Sequence, residues 1–276
     1  MVPLPRVWGV AMAAFAPNQG SIERAVELIY DAVLDPERLP DAIGATAQAV
    51  GAVGGMLGIF DVGACEGHAP AAAGLDTDLL RIFEEHYVSN PWTDMAQRNA
   101  ALGRALSSEQ YVDSRALRMT AFHEAILAPQ RIVAESFILL RHDGRFHVGL
   151  PLMFTTPGRS TEPDVLRTHE FLARHLARAF EMMRRLETLR SRLDLHEAAL
   201  ERQRCGVLQT DRHGHIRYAN AKARRLLADG DGIVSIGTRL AARHPADGQR
   251  LACAVSAAAG RVQTPQDRAA SVPVRR

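Results

Sequence analysis

Three His-Glu dipeptides stand out as residues able to do chemistry: His123-Glu124, His169-Glu170 and His196-Glu197. On a helix, a second His four positions beyond the first would share its face and bind zinc, with the Glu as base. Those positions hold Leu127, Ala173 and Leu200, so no pair is completed. His213 and His215 alternate along a short hairpin pattern, but no Cys or carboxylate stands near them at ligand spacing. His196 lacks the Pro that follows a phospho-accepting His on a kinase helix. The glycines of GAVGGMLG (51–58) match neither a dinucleotide fingerprint nor a phosphate loop. Around Ser235 the nucleophile-elbow spacing fails, and DGDG (229–232) lacks the ligands of a calcium loop. No nucleophile is matched with a base, so neither an enzyme nor a metal site is expected. Nothing in the residues names a cofactor.

Binding is the better expectation. Tyr87, Trp92, Asp94, Tyr111 and Phe122 combine aromatic surface with one carboxylate, a composition suited to a small-ligand pocket. The same residues also serve as ordinary core material, and the pattern leaves both readings open.

The elements that would position them follow from periodicity. A helix is expected from Ser21 to the stop at Asp35-Pro36, and a second through Val50. Residues 53–62 read as a buried strand and 63–74 as a loop. Further helices are expected over 78–87, ended by Asn90-Pro91, and over 114–127. Two apolar runs, 132–141 and 145–154, flank His142-Asp143-Gly144, a hairpin signature. Strand, helices and hairpin make an α+β domain of about 21–157. A long helix follows over 160–204. Its Leu172, Leu176, Phe180, Met183, Leu186, Leu189 and Leu193 recur at a mean of 3.5 residues, the coiled-coil period. Forty such residues would span roughly 60 Å. The segment is read as a connector through which two copies pair, in preference to a helix packed only on the first domain.

Residues 1–160 hold 12 Arg against 18 Asp and Glu, net −6, whereas residues 161–276 carry a net +8. The asymmetry suggests two modules but is too mild to establish nucleic-acid binding. Cys65, Cys205 and Cys253 form no Cys-x-x-Cys pair, which fits a reducing cytoplasm. No apolar run reaches the roughly 20 residues of a membrane span. The apolar residues 7–16 follow a single Arg and precede Pro17. Residues 1–20 are therefore read as a disordered or mis-assigned start rather than a secretion signal.

Residues 205–227, CGVLQTDRHGHIRYANAKARRLL, form a short strand, a turn, a return strand and a helix. Gly206, Asp211, Gly214, Ile216, Asn220, Ala223 and the pair Leu226-Leu227 resemble the start of a PAS domain. Together with IYDAVLDP (29–36) and YVSNPW (87–92), the order of segments resembles the sensory part of LuxR-type helix-turn-helix regulators of bacteria. That resemblance implies a GAF-like domain, the connector helix and a PAS-like segment at 205–276. Only 49 residues follow Leu227, too few to finish a PAS fold, although 261–276 could add one strand. The chain is thus read as a fragment or truncated regulator without its output domain. DNA binding is not expected of it alone. The expected function is signal sensing and dimerisation, with a small ligand of unknown identity. The alternative is a stand-alone, non-DNA-binding scaffold that acts by dimerising.

Overall fold

The computed structural model describes residues 18–61, 63, 64, 66–259, 273 and 274. Most of the segments read as an N-terminal extension and as a last PAS strand therefore lie outside the described residues. The chain divides into two compact units, meeting between Arg185 and Leu186.

In the first unit, α1 (Gln19–Leu34) and α2 (Leu39–Val50) precede a β-hairpin. Asn18 caps α1 by accepting from Gly20 N at 3.0 Å, so the helix starts before Ser21. Gly51 at φ 70° ends α2 in a left-handed turn that favours glycine. The hairpin is β1 (Gly54–Asp61) and β2 (Glu66–Ala73). Then come α3 (Thr77–His86), α4 (Pro91–Asn99), β3 (Ala105–Ser107), α5 (Ser108–Tyr111) and α6 (Ser114–Arg118). A π-helical turn, His123–Leu127, leads to β4 (Ala134–His142) and β5 (Phe146–Phe154). The 39-residue α7 (Pro163–Glu201) closes the series.

The strands form one antiparallel sheet in the order β2-β1-β5-β4-β3. This is the α+β architecture expected from the sequence. Two local expectations are corrected. Residues 63–74 are mostly strand β2, because β1 supplies a pairing edge that the Gly- and Ala-rich text does not reveal. Their small side chains also let the strand lie close to α2: a Cβ on Gly44 would stand 3.3 Å from that of Ala73. The 114–127 helix is broken. Thr120 Oγ1 donates to Leu117 O and accepts from His123 N, replacing helical bonds with local side-chain bonds.

The sheet has two different faces. Leu57, Ile138, Leu150 and Leu152 are fully buried on one. Ile43 of α2 approaches Gly55 there, and His169 of α7 bonds Ser136 at 2.9 Å through Nδ1. Burial holds His169 well below the usual imidazole range, at about 3, so it is neutral there. Leu172 and Leu176 belong to this core and are completely buried, whereas Phe180, Met183 and Leu186 are half-buried and Leu189 and Leu193 exposed. The 3.5-residue seam thus begins as the domain's own core and emerges from it after Ala179.

The second unit contains β6 (Leu208–Thr210), β7 (Ile216–Ala219), α8 (Ala221–Asp229), β8 (Ile233–Ile236), β9 (Arg239–Ala242) and α9 (Pro245–Ala259). The hairpin and Asn-capped helix expected over 205–227 are present. The second hairpin is joined to the first by Leu240 N donating to Gly214 O and Ile216 N to Thr238 O, both at 2.8 Å.

Candidate functional site

The other sheet face carries the candidate site. Met56 and Phe60 on β1, Glu135, Phe137 and Leu139 on β4, and His147 and Met153 on β5 point the same way by strand alternation. Helices α3, α4 and the π turn cover them with Phe83, Trp92, Phe122 and Ile126, enclosing about 70 Å³. Gly58 and Gly149 pair across β1 and β5. Added Cβ atoms there would stand 2.5 Å from the Phe60 ring and 2.4 Å from the Phe137 ring. Both glycines are therefore needed to let these rings lie flat over the sheet.

The YVSNPW text explains how Trp92 is held. Asn90 caps α4, its Oδ1 accepting from Trp92 N and Thr93 N at 2.9 and 3.1 Å. Its Nδ2 donates to Tyr87 O, and Thr93 Oγ1 donates to Val88 O. Pro91 occupies the first helical turn, where no N–H is needed. Trp92 is thereby driven inward and packs edge-on to Phe122 at 5.8 Å.

Two polar groups in this apolar chamber lack partners. Trp92 Nε1 is buried without an acceptor. Glu135 is 4% exposed, and no described side chain or backbone group bonds its carboxyl. Burial alone pushes its pKa up to about 8. A buried polar group left unpaired costs about 1–3 kcal/mol, so both mark unused binding capacity.

The five expected binding residues separate. Trp92 and Phe122 line the chamber. Tyr87 packs on Phe122 at 6.2 Å, behind the wall. Asp94 lies outside, half-exposed and facing Arg98 at 3.7 Å, and Tyr111 is 55% exposed. The mixed spacing of aromatics did not distinguish lining from surface. Glu135 was missed, although an acid inside the apolar run 132–141 was a legible signal.

The residues expected to resemble a PAS start act mainly on the backbone instead. Gly206 sits where a Cβ would stand 2.9 Å from Leu226 Cδ1, and Gly214 takes φ 81° at the turn. Asp211 Oδ1 accepts from His213 N and His215 N at 2.9 Å, while Oδ2 meets His215 Nδ1 and Arg217. Desolvation works against its charge, but the His215 and His213 N–H donors prevail and hold its pKa at about 2. Asn220 is fully buried and ties four backbone groups. Among the described residues, no three His, Cys, Asp or Glu side chains gather to hold a metal. No helix among them is long and apolar enough to cross a membrane.

No protein-family model and no curated protein matches the chain. Solved structures resemble it at low identity. The VqsR LBD domain from Pseudomonas aeruginosa is 13% identical, with a TM-score of 0.45 over 59% of this chain and 96% of that one. The GAF domain of a phosphoenolpyruvate-protein phosphotransferase from Coxiella burnetii is 14% identical, with a TM-score of 0.41 over 62% and 99%. A free methionine-R-sulfoxide reductase from Neisseria meningitidis, in complex with its substrate, is 15% identical, with a TM-score of 0.41 over 62% and 96%.

Proposed function

We propose that this chain is the signal-sensing and dimerisation portion of a bacterial cytoplasmic transcriptional regulator. In this reading the GAF-like domain, about 21–157, takes up a small ligand. The helix over 160–204 connects it to the PAS-like segment, 205–276, and to a second copy. The observation that carries the reading is the aromatic chamber lined by Trp92, whose buried Nε1 has no acceptor, and by Glu135, a nearly buried acid to which the described residues offer no ion pair.

Trp8 and Trp92 are the only tryptophans, so fluorine NMR of the 5-fluorotryptophan-labelled chain gives two resonances. Fragments that raise the melting temperature are expected to move the Trp92 resonance and leave that of Trp8 in place. Stabilising fragments that never move Trp92 would place the site elsewhere.

Pairing is assigned to the stretch of α7 beyond Ala179. Leu189 and Leu193 are 56% and 60% exposed at coiled-coil spacing. Sedimentation velocity is expected to show a dimer for the full chain and a monomer for Leu189→Glu/Leu193→Glu. A wild-type monomer at high micromolar concentration would count against the connector role. The exposed seam serves a stand-alone scaffold equally well; specific DNA binding by this chain in a gel-shift assay would sink the scaffold and would also contradict the expectation that the chain alone does not bind DNA.

A further inference from the structure

The chamber's lining is selective in charge. No Lys or Arg lines it, whereas two carboxylates do, Asp76 and Glu135. Asp76 is committed to capping α3, its Oδ1 accepting from Asp78 N and Leu79 N. Glu135 has no such duty. The rings of Phe60, Phe83, Trp92, Phe122 and Phe137 line the same chamber. Aromatic faces attract a desolvated cation, and a buried carboxylate needs one. An anion would meet two carboxylates and no positive side chain.

We propose that this chamber binds a small organic cation, an ammonium group on an apolar body, with Glu135 as its counter-ion. The proposal rests on reading the chamber as a ligand site, and it goes further by naming the ligand class. The chamber volume of about 70 Å³ is well below the roughly 300–1,000 Å³ of pockets for drug-sized ligands, which suits a small molecule. The buried Trp92 N–H offers a donor to any oxygen the same molecule carries.

Binding has a proton balance. Burial keeps most Glu135 carboxyls protonated at neutral pH. An arriving ammonium keeps its own proton, and Glu135 gives its proton to the buffer as the ion pair forms. Other titratable groups near Glu135 are few. His147 faces the chamber from β5, where burial and then His142 lower its pKa. Asp76 faces it from the turn before α3. On α5, Ser108 Oγ accepts from Glu135 N, and the adjacent Glu109 is engaged by Gly158 N and Ser160 Oγ. On α4, Asp94 lies against Arg98, and His169 of α7 lies on the opposite sheet face.

The test uses the full-length chain and three matched probes: isobutylamine, isobutanol and isobutyrate. Affinities are read from the Trp92 fluorine resonance, and proton release from calorimetry in buffers of different ionisation enthalpy. At pH 7 the amine is expected to bind at least about tenfold tighter than the alcohol, as charge-assisted pairing requires. It should release about one proton per molecule, falling to a small fraction at pH 9. Glu135→Gln is expected to abolish both the preference and the release. Equal binding of amine and alcohol, or amine binding without proton release at pH 7, overturns the proposal. The wild-type comparison stands even if the variant does not fold. Failure of the amine overturns the cation whatever other fragments do. The ligand-site reading falls only if the whole fragment set leaves Trp92 unmoved.

Discussion

Asn220→Ala is expected to unfold the second unit while the first stays folded. Asn220 Oδ1 accepts from Val207 N and Ala223 N, and Nδ2 donates to Leu200 O and Cys205 O, all between 2.9 and 3.0 Å. One amide thereby joins the end of α7, the strand entry and the first turn of α8. Alanine would leave Val207 N, Ala223 N and Cys205 O without this partner, at about 1–3 kcal/mol for each that stays buried, whereas Leu200 O keeps Gln203 N. Even with water reaching all but one of them, the loss is about 1–3 kcal/mol, large for so small a unit. Hydrogen exchange of the full chain checks it. Amides over 208–242 should lose protection while those of β4 and β5 keep theirs. Asn220→Asp retains the two acceptor contacts but sets a carboxylate against two carbonyls, so its loss should be intermediate. Unchanged exchange over 208–242 in the alanine variant would show that the second unit does not depend on this junction.

Glu135→Gln should stabilise the first unit by an amount that grows with pH. The carboxyl's native pKa is raised by burial from 4.5 to about 8. Between those values the unfolded chain has lost this proton and the folded chain holds it. Stability from this group is therefore full below pH 4.5 and is lost as pH rises through 8. At 1.36 kcal/mol per unit, the change across that window is about 4 kcal/mol. Glutamine has nearly the same shape and no proton to lose. Denaturant unfolding of both proteins is expected to give equal stabilities near pH 4.5 and a variant advantage of about 3 kcal/mol or more at pH 8. Other titrating groups cancel in the difference. A difference that does not vary with pH would mean that Glu135 reaches water or a partner in solution.

Much of the frame was legible in the chain. The Asp143-Gly144 hairpin, the Asn90-Pro91 and Asn220 helix starts and the long α7 rest on local rules: turn chemistry, capping and periodicity. Strand β2 was not legible, because its Gly and Ala residues carry no strand preference and pair only when β1 is beside them. The break at Met119-Thr120 depends on one hydroxyl choosing local bonds over the helical ladder. For the site, Trp92 and Phe122 were found by type, but Asp94 and Tyr111 share that type and face outward.

The sequence by itself determined which segments become helices, hairpins and caps, because those choices are settled within a few residues. It also determined that α7 carries a 3.5-residue apolar seam. Only the tertiary structure decided how that seam is divided: Leu172 and Leu176 are spent on the sheet, whereas Leu189 and Leu193 stay exposed. Only the tertiary structure, too, gave Glu135 its character. In the chain it is one acid among many. The sheet order brings β1, β4 and β5 side by side, and the covering helices close over them, so the carboxyl is desolvated among aromatic rings with no basic partner. Desolvation depends on everything packed around a group, and no local stretch of sequence contains that information.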